Sequence, residues 1–290
     1  MNINIKYLKN QNRQSSQHGT RLFIGEYLKI VFILSFLFCY SLINAQTVPA
    51  VFEVDTTIKF IEVDELKNLY VITPGSSIIK YDSLGIKVAD RRFSGYGEIS
   101  SIDVSNPLNT EVFYSSQNKV VITDNLLNVV SELNLDGSGV SQFGVACRSE
   151  SGGFWFYDIQ DAKLKRLDPD KNLQGESPNL PSCGIRDLNS VYMLEKSPWV
   201  FLSVPSEGIL IFDQYGAYYK KIPLKNLSRF QVVKNTVIAF NGSALVFYDL
   251  LTNDSKIVAL PFEIKDAQDV KFLAHRIWVQ RIKSIKSYLN

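Results

Sequence analysis

Chemistry in this chain has few histidines to draw on. His18 and His275 are the only two among 290 residues, so a mechanism that needs two imidazoles, such as a histidine-rich zinc site, is excluded once His18 falls in a removable leader. His275 stands in Ala274-His275-Arg276 with no G-x-S-x-G or comparable nucleophile turn anywhere in the chain. It reads as a solvated turn residue, not as a general base. HExxH, CxxC, Walker and EF-hand patterns are also missing. The glycine-rich Asp136-Gly137-Ser138-Gly139 precedes no helix whose N-terminus could hold a phosphate, so it reads as a loop. These observations lean away from an enzyme.

The N-terminus reads as an export signal. Residues 30–43, IVFILSFLFCYSLI, follow Lys29 and precede Asn44-Ala45-Gln46. About fourteen apolar positions are too few for a membrane span, which needs about twenty, but suit the apolar part of a signal peptide. The expected division is a signal peptide with an extended polar lead-in over 1–45 and a single domain over 46–290. An uncleaved N-terminal anchor is the rival reading. A lipoprotein signal is disfavoured because Leu37-Phe38, not small residues, precede Cys39. Residues 1–45 carry Lys6, Lys9, Arg13, Arg21 and Lys29 against Glu26, a net of +4 in a chain of +2, so the remainder carries −2. No surplus positive charge is left to favour nucleic acid.

The strongest pattern is a repeat. Five hydrophobic runs end on an aspartate, at Asp82, Asp124, Asp168, Asp213 and Asp249, spaced 42, 44, 45 and 36 residues apart. Before each lies a second apolar run and a tight turn, as in LYVI-TPGSS-IIKYD and VIAF-NGS-ALVFYD, which is hairpin grammar. Further strands precede and follow each hairpin. Four strands recurring about every 40–45 residues describe a β-propeller blade. The expected fold is therefore all-β: a six-bladed propeller of four-stranded antiparallel blades. The last blade, drawn from Asp269–Phe272, Ile277–Gln280 and Ile282–Leu289, lacks one strand, and residues 48–54 supply it by pairing the two chain ends. Seven blades of about 35 residues would be tight for four strands each. Trp155, Trp199 and Trp278, with Tyr70 and Phe113, fall near the start of the second strand of their blades and read as core rings between blades. The register sets Cys147 at the far end of an inner strand and Cys183 before the next. A strand at about 3.3 Å per residue holds them beyond bridging distance, so two unpaired thiols are expected.

Asp64-Glu65-Leu66-Lys67-Asn68-Leu69-Tyr70-Val71 followed by Ile79-Lys80-Tyr81-Asp82-Ser83-Leu84-Gly85, and the partial echo Ile211-Phe212-Asp213-Gln214-Tyr215-Gly216, resemble the repeat of NHL-type and TolB-like six-bladed propellers. The resemblance implies a disc-shaped binding platform and spans both enzymes and adaptors. Some relatives hold a metal through Glu, Asn and Asp at the central channel and hydrolyse or cleave esters there. On that alternative, a lactonase-like hydrolase or lyase, Asp103, Asp187 and Asp269 are the candidate ligands.

The same register places Lys59, Ser100 with Ser101, Ser141 with Gln142, Arg186 with Asp187, Ser228 with Arg229, and Gln268 with Asp269 at the channel mouth. Lys59, Ser101, Gln142, Arg186, Asp187, Arg229 and Asp269 are the candidate ligand-binding residues. Two carboxylates among two arginines and a lysine make a poor cation cage and better suit a small anion, a sugar or a peptide terminus. Tyr215, Tyr218 and Tyr219, beside Lys220 and Lys221, offer a second contact surface, loosely lectin-like. The expected function is a monomeric, exported, non-catalytic platform without a cofactor. It would bind an envelope protein or a small ligand in the periplasm, at the cell surface or outside the cell, with no role in nucleic-acid binding.

Overall fold

The computed structural model describes residues 50–260, 264 and 266–289. The leader, with its apolar run and Cys39, lies outside the described residues. The rest forms six four-stranded antiparallel sheets in a ring. Blade 1 comprises Phe60–Val63, Leu69–Thr73, Ser77–Tyr81 and Lys87–Arg92, from the axis outward. Blade 2 comprises Ser101–Asp103, Thr110–Tyr114, Lys119–Thr123 and Val129–Asn134. Blade 3 runs from Phe143–Arg148 to Leu173–Glu176, blade 4 from Tyr192–Lys196 to Tyr218–Ile222, and blade 5 from Gln231–Val233 to Ser255–Val258. Blade 6 holds Asp269–Leu273, Arg276–Gln280 and Ser284–Leu289, with Ala50–Glu53 as its outer strand. The register Ala50↔Ser287 through Glu53↔Ser284 closes the ring as expected. Pairing the chain ends leaves no open seam between the first and last blades.

Burial explains the sequence pattern of each strand. Second strands are covered by a blade on both faces, so Leu69–Thr73, Thr110–Tyr114 and Phe154–Asp158 are buried at every position. Outer strands such as Lys87–Arg92 and Val129–Asn134 face water and are mostly exposed. Six apolar clusters fill the ring, one between each pair of neighbouring blades. Between blades 2 and 3, Phe113 meets Phe143 and Phe154 edge-on at 6.5 and 5.9 Å between ring centres.

The periodic aspartates are turn locks. Asp82 Oδ1 accepts the amides of Leu84 and Ile86, Asp124 those of Leu126 and Asn128, Asp168 those of Asp170 and Asn172, and Asp213 those of Tyr215 and Ala217. In blade 5 Asp249 accepts Leu251 and Thr252. A carboxylate that takes two amides in this way fixes the turn into the outer strand. In blades 1 to 4 the pairing also slips by one residue beside that turn, a bulge that turns the outer strand. The strongest signal in the sequence is thus structural.

The tryptophans divide. Tyr70 lies opposite Glu62, Trp155 opposite Cys147 and Trp278 opposite Lys271, all at one level of the ring and fully buried. At that level blade 4 places Phe201, opposite Leu194, and blade 2 places Glu111, opposite Asp103. Trp199 and Phe113 are each two residues away. Trp199 is half-buried and stacks on Tyr219 at 4.6 Å. Two residues along a strand return to the same face, so the expected face is right for both while the common level is not.

Cys147 is buried and Cys183 half-buried, and both are free. Burial pushes the Cys147 thiol well above its ordinary value. Native protein treated with iodoacetamide should be alkylated at Cys183 within minutes and at Cys147 only after unfolding, as peptide mass spectrometry would show; equal labelling of both would contradict this packing. At the turn of blade 4, Gly208 has φ +123°, and a Cβ there would lie 2.2 Å from the Ile222 carbonyl oxygen. Gly208→Ala should therefore cost at least about 2 kcal/mol in urea unfolding. A loss below about 0.5 kcal/mol would show that the turn relaxes freely.

Candidate functional site

The inner strands present two mouths on the ring axis, divided by a cluster of buried charges. Arg229, from the loop before blade 5, donates from Nη1 to Glu62 Oε1 at 2.6 Å. Lys271 Nζ of blade 6 stands 2.9 Å from Glu62 Oε2 and 3.9 Å from Asp269. Side-chain exposures of 10% for Glu62, 9% for Arg229 and 2% for Lys271 place all three out of water. The Arg229 guanidinium lies 3.7 Å from the Phe60 ring centre and 4.9 Å from that of Tyr192, a cation between two aromatic faces from blades 1 and 4.

The mouth at the N-terminal ends of the inner strands is lined by Lys59, Ser100, Ser228, Arg229, Gln268 and Asp269. Of the expected residues it gathers Lys59, Arg229 and Asp269. The two cations are already engaged: Lys59 Nζ donates to the Ile99 carbonyl at 2.6 Å and to Glu98 at 3.4 Å, and Arg229 serves Glu62. Ser101 is not in this mouth; it is buried and donates to the Ala146 carbonyl at 3.3 Å, while its neighbour Ser100 faces the opening. Gln142 and Arg186 are exposed outside it. Asp187 is tied to Asn189 at 2.9 Å and to Ser206 at 2.5 Å, and those bonds hold its carboxyl below the usual range. The inner strand of blade 4 begins only at Tyr192, beyond Arg186 and Asp187, and in blade 3 a bulge between Phe143 and Ala146 shifts the register beside Gln142.

The three aspartates of the metal alternative do not converge. Asp103 lines the opposite mouth, Asp269 this one and Asp187 neither. Among the described residues no group of three or more His, Cys, Asp or Glu side chains could hold a metal ion. His275 is exposed in the turn between the first two strands of blade 6.

The mouth at the C-terminal ends of the inner strands is a recess of about 420 Å³. Glu62, Asp64, Glu65, Asp103, Glu150 and Glu195 line it against only Arg148 and Lys196, and Tyr192, Met193 and Phe230 supply apolar wall. Asp103 Oδ1 accepts the Ser105 amide and Oδ2 the Arg148 amide, each at 2.9 Å. The Arg148 guanidinium turns away to Glu111, whose side chain is 1% exposed. Burial, then the Asp103 charge, raises Glu111 from 4.5 to about 7 against the pull of Arg148. Burial also holds Glu195 above its ordinary value, while the Glu150 amide donates to it at 3.1 Å. Sequence spacing marked only Asp103 of this recess. Glu62 and Glu195 sit in short inner strands whose reading gives no hint of which end opens.

On the outer surface, Tyr215 is 70% exposed and Tyr219 stacks on Trp199, while Tyr218 packs edge-on against Phe212. Lys220 is occupied with the Leu250 carbonyl and Asn253.

These features define a six-bladed β-propeller with an ion-plugged axis. No protein-family model matches the chain, and none of the curated proteins matches it. Solved structures match in fold. Virginiamycin B lyase from Staphylococcus aureus aligns with a TM-score of 0.57 at 10% identity, covering 84% of this chain and 99% of that one. A putative exported protein from Bacteroides fragilis aligns at 0.56 and 10% identity, covering 85% and 97%. The extracellular domain of a putative one-component system from B. thetaiotaomicron aligns at 0.53 and 12%, covering 80% of this chain and 33% of that one. At such identities the likeness is one of fold.

Proposed function

We propose that this chain is an exported, non-catalytic β-propeller that holds another protein or a small ligand in the cell envelope, in the manner of NHL-type and TolB-like platforms. The observation that carries this reading is the preformed recess. Side chains from five blades converge on it, and its base is a fixed ion cluster that needs no rearrangement to stand open. Rigid, pre-positioned polar groups around a concave apolar wall are what a ligand site requires. Export is supported by the leader-like N-terminus and by the exported and extracellular fold neighbours.

A photo-crosslinking residue placed at Ser105 or Lys196, exposed on the rim, should capture a defined species from envelope fractions. The same residue at Lys256, on the outer strand of blade 5, should not. Equal capture at all three positions, or none at the rim, would overturn the reading.

A further inference from the structure

The recess combines an excess of carboxylates with a tyrosine hydroxyl that opens into it and makes no hydrogen bond to a described residue. Two of its carboxylates are spoken for: Glu62 by Arg229 and Lys271, and Asp64 by Asn68 and the Tyr70 hydroxyl inside its own turn. Asp103 and Glu195 differ. Asp103 is held by two backbone amides and Glu195 by one, which orient a carboxylate but leave its charge in place. Of the two cations that line the recess, Arg148 pairs with Glu111 and Lys196 lies closest to Glu150, at 3.9 Å; Arg166, outside the recess, offsets part of the Glu195 charge.

Tyr192 is the independent observation. It is 8% exposed and lines the recess, and its hydroxyl makes no hydrogen bond with any described residue. The phenol stands on blade 4 with its ring 4.9 Å from the Arg229 guanidinium and 5.6 Å from Lys271 Nζ, which sets it against the axial cluster. Buried tyrosine hydroxyls ordinarily find a partner. Here the free position faces the cavity, so a ligand atom would complete it.

We infer that the recess binds an organic cation, a primary ammonium or guanidinium head group, whose N–H groups reach the Tyr192 hydroxyl oxygen, Asp103 and Glu195. This rests on the binding-platform reading and specifies its ligand. An anion would meet two unpaired carboxylates, and the donor set does not suit a metal ion. The head group could belong to a free polyamine or to a lysine or arginine side chain of a partner peptide; the chemistry is shared.

Calorimetric titration of the purified protein separates these sources and tests the assignment. One arm uses putrescine and spermidine, a second uses blocked tripeptides centred on lysine or arginine, and the controls are the acetyl-lysine tripeptide and acetate. Saturable binding of amines that weakens with salt and vanishes on side-chain acetylation is expected. Glu195→Gln should weaken it about tenfold and Tyr192→Phe about threefold, with melting temperatures confirming that both variants fold. The tighter of the first two arms identifies the source. Equal binding of the acetylated tripeptide, or binding of acetate, would overturn the cation assignment and leave the platform reading standing. Failure of every amine to bind would also overturn it, and rim crosslinking would then judge the platform alone.

Discussion

Glu62→Gln should lower the unfolding free energy by about 3–5 kcal/mol, because it strands Arg229 and Lys271 in a dry site. Glu62 is the carboxylate that meets both cations, and after its loss Lys271 keeps only Asp269 at 3.9 Å. In a domain of this size each kcal/mol moves the melting temperature by about 2–4 °C, so a drop of roughly 10 °C is expected in calorimetry. The triple variant Glu62→Leu, Arg229→Met, Lys271→Met should recover most of that loss, since replacing a whole buried ion cluster by apolar groups is often neutral or better. Glu62→Gln costing less than about 1 kcal/mol would mean that water reaches the cluster and the two mouths are joined. The cluster would then be no septum, and the recess would lose its fixed base.

Glu111 should make stability depend on pH in the direction opposite to an ordinary paired carboxylate. Its folded value is raised from 4.5 to about 7, chiefly by burial and secondly by Asp103, with Arg148 opposing. Between those two values the folded chain keeps a proton that the unfolded chain has released. Its contribution is therefore fully present below about pH 4.5 and is lost as pH rises toward 7, by up to roughly 3 kcal/mol. Urea unfolding measured from pH 5 to pH 8 should show that fall, superimposed on the other carboxylates. Glu111→Gln, which cannot ionise, should remove it and be the more stable protein at pH 8. Parallel pH profiles for the two proteins would show that Arg148 holds Glu111 ionised throughout. Because Arg148 also lines the recess and its amide holds Asp103, the same protonation bears on the shape of the candidate site.

Much of the fold was legible in the chain. The aspartate period reports a real repeated turn, with Asp82, Asp124, Asp168, Asp213 and Asp249 locking the outer hairpins through their own backbone amides. That interaction spans two to four residues, so it is written locally and survives the erosion of other repeat positions. Ring closure was legible for a related reason: one blade was short by a strand, and residues at the other chain end had the right pattern. Level within a blade was less secure. Trp199 and Phe113 lie on the expected face but two residues from Trp155, because the two-residue side-chain period specifies a face and not a height.

The site was legible only in part. Lys59, Arg229 and Asp269 do share a mouth, yet the two cations are taken up by Ile99, Glu98 and Glu62, while Asp269 comes no nearer to Lys271 than 3.9 Å. Glu62 and Arg229 are 167 residues apart in sequence, and no local pattern connects them. Local chemistry, read from turns, alternation and spacing, determined the blades, their number and how the ring closes. Which cations are free, which mouth is acidic and which hydroxyl waits for a partner were decided only by closing the ring, because those properties belong to side chains from different blades that meet at the axis and nowhere else.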